Sequence, residues 1–93
     1  MSYLSAAGGN YYATGTEFRD GKQFGRQVAR QRKTLTEARR ALDESGLRGY
    51  VQLWQNHRAQ RVIVAERDEA GNWWAPDPFT GNLLPMAPLG VKA

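Results

Sequence analysis

The chain has no cysteine, a single histidine and four prolines in 93 residues. Without thiols it can form neither disulfides nor thiolate metal sites. A domain of this size buries only about 60 to 68% of the surface its unfolded chain exposes, so help from neighbouring subunits is the expected source of extra stability. No apolar run approaches the roughly 20 residues that span a bilayer. The first nine residues also lack the basic start and apolar core of a signal peptide. A soluble chain that is not evidently exported, with no membrane partner, is expected.

The usual catalytic combinations are missing as well. His57 lies in Gln55-Asn56-His57-Arg58, a turn between two apolar runs, with no second ligand or nucleophile in view. No serine sits in a nucleophile elbow, no glycine run matches a phosphate loop, and no carboxylate pair has supporting residues around it. The expectation is a non-enzymatic protein with no catalytic residue, metal, cofactor or small-molecule substrate.

The net charge is +4 and is unevenly placed: residues 1 to 48 hold nine Lys/Arg against five Asp/Glu, and residues 49 to 93 hold four against four. Three Trp, four Tyr and three Phe within 41% hydrophobic residues are enough for a packed core. Residues 1–19 mix glycine, small residues and aromatics without a clean period and read as an extended arm, with one short strand at Tyr11 to Thr14. Asp20-Gly21-Lys22-Gln23 reads either as a capping box or as an Asp-Gly hairpin turn. The apolar series Phe24, Val28, Leu35, Ala38 and Leu42 favours a helix over about 21–45, stopped at Gly46. Thr34-Leu35-Thr36-Glu37 is a second cap signal inside it, with a break near Lys33.

After Gly49 the period becomes two. Tyr50 to Trp54, Arg61 to Glu66 and Trp73 to Ala75 read as three antiparallel strands closed by Pro76-Asp77-Pro78. The expected fold is therefore α+β: one long basic helix packed on a three-stranded meander over about 49–76. Residues 20–78 form the domain and residues 79–93 an extended apolar tail.

On such a helix Lys22, Arg26, Arg30, Lys33 and Arg40 share one sector, a stripe suited to phosphates along a nucleic acid. Glu37 and Glu44 in the same sector make an ordinary solvated face the competing reading. Arg32 and Arg39 sit near the rim of the apolar stripe, where an arginine stem packs while its head reaches a partner. Trp73 and Trp74 are adjacent on a strand and must point to opposite faces. With Phe24 and Trp54, these arginines and tryptophans are the candidate partner contacts.

Trp74-Ala75-Pro76-Asp77-Pro78-Phe79-Thr80-Gly81 resembles the Trp-Val-Pro-Asp-Pro-x-Thr-Gly stretch of a plant late-embryogenesis-abundant family. The likeness covers these eight residues and carries no fold or function to the rest. In overall style the chain is similar to small bacteriophage virion or accessory proteins. The expectation is a structural protein contacting protein subunits of an assembly, its own or another's, in a virion or in the cytoplasm of an infected or bacterial cell. The alternative is a basic accessory protein that binds nucleic acid or inhibits a nucleic-acid-handling complex.

Overall fold

The computed structural model describes residues 9–89, apart from the side chains of Arg19, Gln23 and Phe24. Its strands are β1 (Tyr11–Arg19), β2 (Lys22–Arg32), β3 (Arg48–Gln55), β4 (Gln60–Arg67), β5 (Trp73–Pro76) and β6 (Leu83–Pro85). One helix, α1 (Leu35–Ser45), lies between β2 and β3. All described pairings are antiparallel, in the order β2-β1-β3-β4-β5-β6.

The long basic helix expected over 21–45 is thus two elements, and the meander is part of a sheet of six strands. Asp20 has φ 54° and Gly21 φ 76°, the paired positive values of a tight hairpin turn. A capping residue would instead be extended. The spacing of four between Phe24 and Val28 is even, so it places two residues on one side of a strand as readily as on one side of a helix. Only Leu35, Ala38 and Leu42 belong to a real helical face.

That helix starts where the second cap signal lies. Thr34 is extended, its Oγ1 accepts from the Glu37 amide at 3.1 Å, and its hydroxyl donates to Glu37 Oε1 at 3.0 Å. Gly46, at φ 71°, ends it. Eleven residues make about 16 Å of helix, whereas eight to eleven residues of strand reach about 27 to 37 Å. The sheet overhangs the helix, the reverse of the sequence expectation.

Over Tyr11–Arg19 the expected arm is a strand inside the sheet, between β2 and β3, while residues 1–8 lie outside the described residues. In the expected tail, residues 83–85 form β6, and residues 90–93 lie outside the described residues. The three strands read from the alternating pattern are present as β3, β4 and β5, paired in sequence order.

α1 packs across β1, β2 and β3. Its Ala38 and Leu42 meet Ala13, Val51, Ala65 and Trp73 in a core built largely of small side chains. Gly15 makes the approach close: a Cβ there would stand 2.7 Å from Leu42 Cδ1 and 3.1 Å from Leu47 Cβ. Around Trp73 a polar knot ties helix to sheet. The Trp73 indole N–H and the Arg67 Nε–H both donate to Asp43 Oδ1 at 2.9 Å, and Arg67 Nη1 donates to the Leu47 carbonyl at 2.9 Å.

Candidate binding face

α1 is the only helix longer than one turn among the described residues, so one face of the sheet has no described element over it. Alternation along β3 assigns the two sides: Val51 points into the core, so Arg48, Tyr50, Gln52 and Trp54 point away from it. Pairing carries this across the sheet. Tyr12 lies opposite Gln52, Arg61 opposite Trp54, Ile63 opposite Gln52, and Glu66 opposite both Tyr50 and Trp74. A register shift between Val51 and Gln52 gives β4 one extra residue, which puts Ile63 on the open face while Val64 and Ala65 stay with the core.

The open face has two unlike ends. Toward the start of β3 it forms a dish of about 970 Å³, whose lining includes Thr14, Phe18, Arg48, Tyr50, Glu66 and Trp74. Asp68 and Glu69 stand at its margin. Toward the end of β3 it carries Tyr12, Trp54, Arg61 and Ile63. The arginines lie over aromatic rings, Arg61 at 4.0 Å from the Tyr12 ring centre and Arg48 at 4.8 Å from that of Phe18. Arg48 also meets Glu69 at 3.6 Å, an exposed pair of small energetic weight. Trp54 donates its indole N–H to Asn56 Oδ1.

The two adjacent tryptophans separate as strand geometry demands. Trp73 is 4% exposed and belongs to the core, whereas Trp74 is half-buried, lines the dish and donates its indole N–H to Asp68 Oδ2 at 3.1 Å. That hydrogen bond, followed by the Asn72 amide, holds the Asp68 carboxyl below its usual range. A carboxyl depressed in the folded state contributes above its unfolded titration range, and the contribution is lost as pH falls through the lower folded value. We expect the Trp74 indole N–H resonance to shift on acidification below the ordinary carboxylate range, and the shift to vanish in Asp68→Asn. A resonance that ignores acid would remove the coupling.

Of the other candidate contacts, Arg39 is used within the chain. It is buried against Trp73 at 4.8 Å from the ring centre, and its Nη2 donates to the Ala87 carbonyl at 2.7 Å. Burial lowers its pKa, and the charge of Asp43 opposes that shift. Arg32 is on β2 and donates to the Gln31 carbonyl. The side chain of Phe24 lies outside the described residues.

The five-residue basic stripe does not persist, because its members lie on a strand, a turn and a helix. Lys22, Arg26 and Arg30 are in β2, Lys33 is in the turn and Arg40 is in α1. Arg26 and Arg30 instead join Arg32 along a groove of about 240 Å³ between β2 and α1, shared with Glu44 and Ser45. There Arg26 Nη2 donates to the Ser45 carbonyl at the end of α1, where the helix dipole favours a cation. Sequence reasoning missed Tyr12, Arg61 and Ile63. Their common face follows from strand register, and no short-range pattern reports register.

His57 is exposed in the one-turn helix Asn56–Arg58. Among the described residues no group of three or more His, Asp or Glu side chains is placed to hold a metal, and no helix is long and apolar enough to cross a membrane. Asp77-Pro78-Phe79-Thr80-Gly81 lies in the β5–β6 turn, in which the Gly81 amide donates to the Asp77 carbonyl at 2.8 Å and Phe79 is 94% exposed. No family model matches the sequence, and no curated protein or solved structure shows significant similarity to it.

Proposed function

We propose that the chain is a non-enzymatic assembly protein whose open sheet face is its contact surface for a protein partner. The supporting observation is an antiparallel sheet covered by its helix on one side only, with Tyr12, Tyr50, Trp54, Ile63 and Trp74 on the other. Antiparallel sheets do tolerate one wet face, but such faces are ordinarily polar. Large aromatic side chains beside arginines are the composition of protein interface centres.

Ile63 and Leu83, both on this face, are 41% and 44% exposed. Such aliphatic groups gain from an apolar partner surface and offer nothing to a phosphate or a base edge. The arginine row on β2 favours nucleic acid, but it shares its groove with Glu44 and spends Arg26 on the end of α1. The open face is therefore the stronger contact.

A photo-crosslinking amino acid placed at Ile63 or at Tyr50, with Thr36 on α1 as control, tests this in cells that express the chain. Protein adducts are expected from the two face positions and not from Thr36. The proposal fails if the face gives no protein adduct, or if the adducts are to nucleic acid.

A further inference from the structure

We infer that the partner seated on the open face is a second copy of this chain, related by a two-fold axis that lies in the interface and runs across the strands. This rests on reading the open face as a protein-contact surface. Three observations point to a self-complementary contact: the charges at its two ends, their shapes, and the condition of the sheet edges.

The charges at the two ends are opposite. The dish end presents Glu66, with Asp68 and Glu69 in the same lining; of the two arginines described there, Arg48 is paired with Glu69, and Arg67 is turned to Asp43 and the Leu47 carbonyl. The other end presents Arg61, with Arg58 in the adjoining turn. Among the described residues neither Arg61 nor Glu66 has an ion-pair partner in its own chain. A two-fold axis across the strands exchanges the ends, so that Arg61 of each copy overlies the Glu66 end of its mate. An axis along the strands would leave like charges facing each other. Symmetry also requires every such contact to occur twice, which suits a patch carrying both halves of the pairing.

The shapes agree with the charges. The dish end is concave, and the Tyr12, Trp54 and Arg61 end is the part of the face outside the concavity. Exchanging the ends places the aromatic end of one copy over the hollow of the other. Strand spacings of about 4.8 Å and residue rises of about 3.4 Å give the face roughly 600 Å² in projection. Side-chain relief raises the accessible area toward the roughly 800 Å² that each partner commonly buries in a stable complex. Stacking on the face would complete a sandwich with an inner layer of side chains.

Association through the edges is disfavoured in the same molecule. The β2 edge carries Lys22, Arg26, Arg30 and Arg32 with a register irregularity between Thr16 and Phe18 on its neighbour, and charges and bulges of this kind oppose strand addition. At the far edge β6 is only three residues long and ends on Pro85, which has no amide hydrogen to donate.

Sedimentation equilibrium on the purified full chain, with charge reversals, tests the proposal. The wild type is expected to show a monomer–dimer equilibrium. Arg61→Glu and Glu66→Arg singly should each weaken dimerisation by about tenfold or more, since each sets like charges together. The double variant should recover most of the loss. Phe79→Ser, off the face, should leave dimerisation unchanged, and far-ultraviolet dichroism checks that every variant is folded.

A wild type that stays monomeric at all concentrations, a double variant no better than the singles, or loss of the dimer in Phe79→Ser would overturn the inference. Crosslinks from Ile63 separate the two failures. Adducts to a different protein with a monomeric pure chain would overturn the second-copy assignment alone, and no protein adduct at all would remove the contact face itself.

Discussion

Trp73→Ala is expected to destabilise the chain by about 3 to 5 kcal/mol, the usual cost of deleting a buried aromatic side chain. The change empties space in a core whose other members are mostly alanines. It also withdraws the indole N–H from Asp43 and the ring from beneath Arg39. Domains of this size are stable by about 5 to 15 kcal/mol in total, and each kcal/mol shifts the melting temperature by about 4 to 8 °C. A thermal melt should therefore fall by more than about 12 °C or lose its transition. Trp74→Ala, one residue along, should melt much closer to the wild type and show its defect in association. Equal losses of stability in the two variants would contradict the division of the sheet into a core face and an open face.

Gly49→Ala should damage the fold although Gly49 is not in a turn and its φ is not positive. A Cβ built there would stand 2.0 Å from the Thr14 carbonyl oxygen and 2.8 Å from Gly15 Cα, all of it backbone on the neighbouring strand. Since β1 and β3 pair at Gly15 and Gly49, relief requires the two strands to separate at the middle of the sheet. The expected loss is about 3 kcal/mol or more, at the upper end of what overpacking costs, read from a denaturant titration. Gly46→Ala is the comparison, because a Cβ at Gly46 meets nothing within 4 Å and only its φ of 71° resists. A milder effect at Gly49 than at Gly46 would show that the close strand approach is not a constraint.

The C-terminal half was readable because its signals are short-range. Val51, Val62 and Val64 belong to compact β-branched runs, and turns rich in Asn, Gly and Asp separate those runs. The end of α1 was equally plain, with Ser45, Gly46 and Leu47 each doing what a helix stop requires. The first half misled because β2 has no apolar alternation. As an edge strand it needs little apolar surface on its outer positions, and Arg26, Val28, Arg30 and Arg32 lie beside the helix while glutamines occupy the other side. A strand of that composition resembles a basic helix when only charge and spacing are counted.

The sequence by itself determined the local events: a cap signal at Thr34, a stop at Gly46, strands from Tyr50 onward and opposite directions for Trp73 and Trp74. These depend on backbone preferences and hydrogen bonds within a few residues. Only the tertiary structure decided that Asp20-Gly21 joins two strands, that Arg39 is held inside the molecule, and that Tyr12, Trp54, Arg61 and Trp74 share a face that no described element covers. Those outcomes depend on which strand lies beside which and in what register, and residues tens of positions apart meet only once the whole sheet has closed.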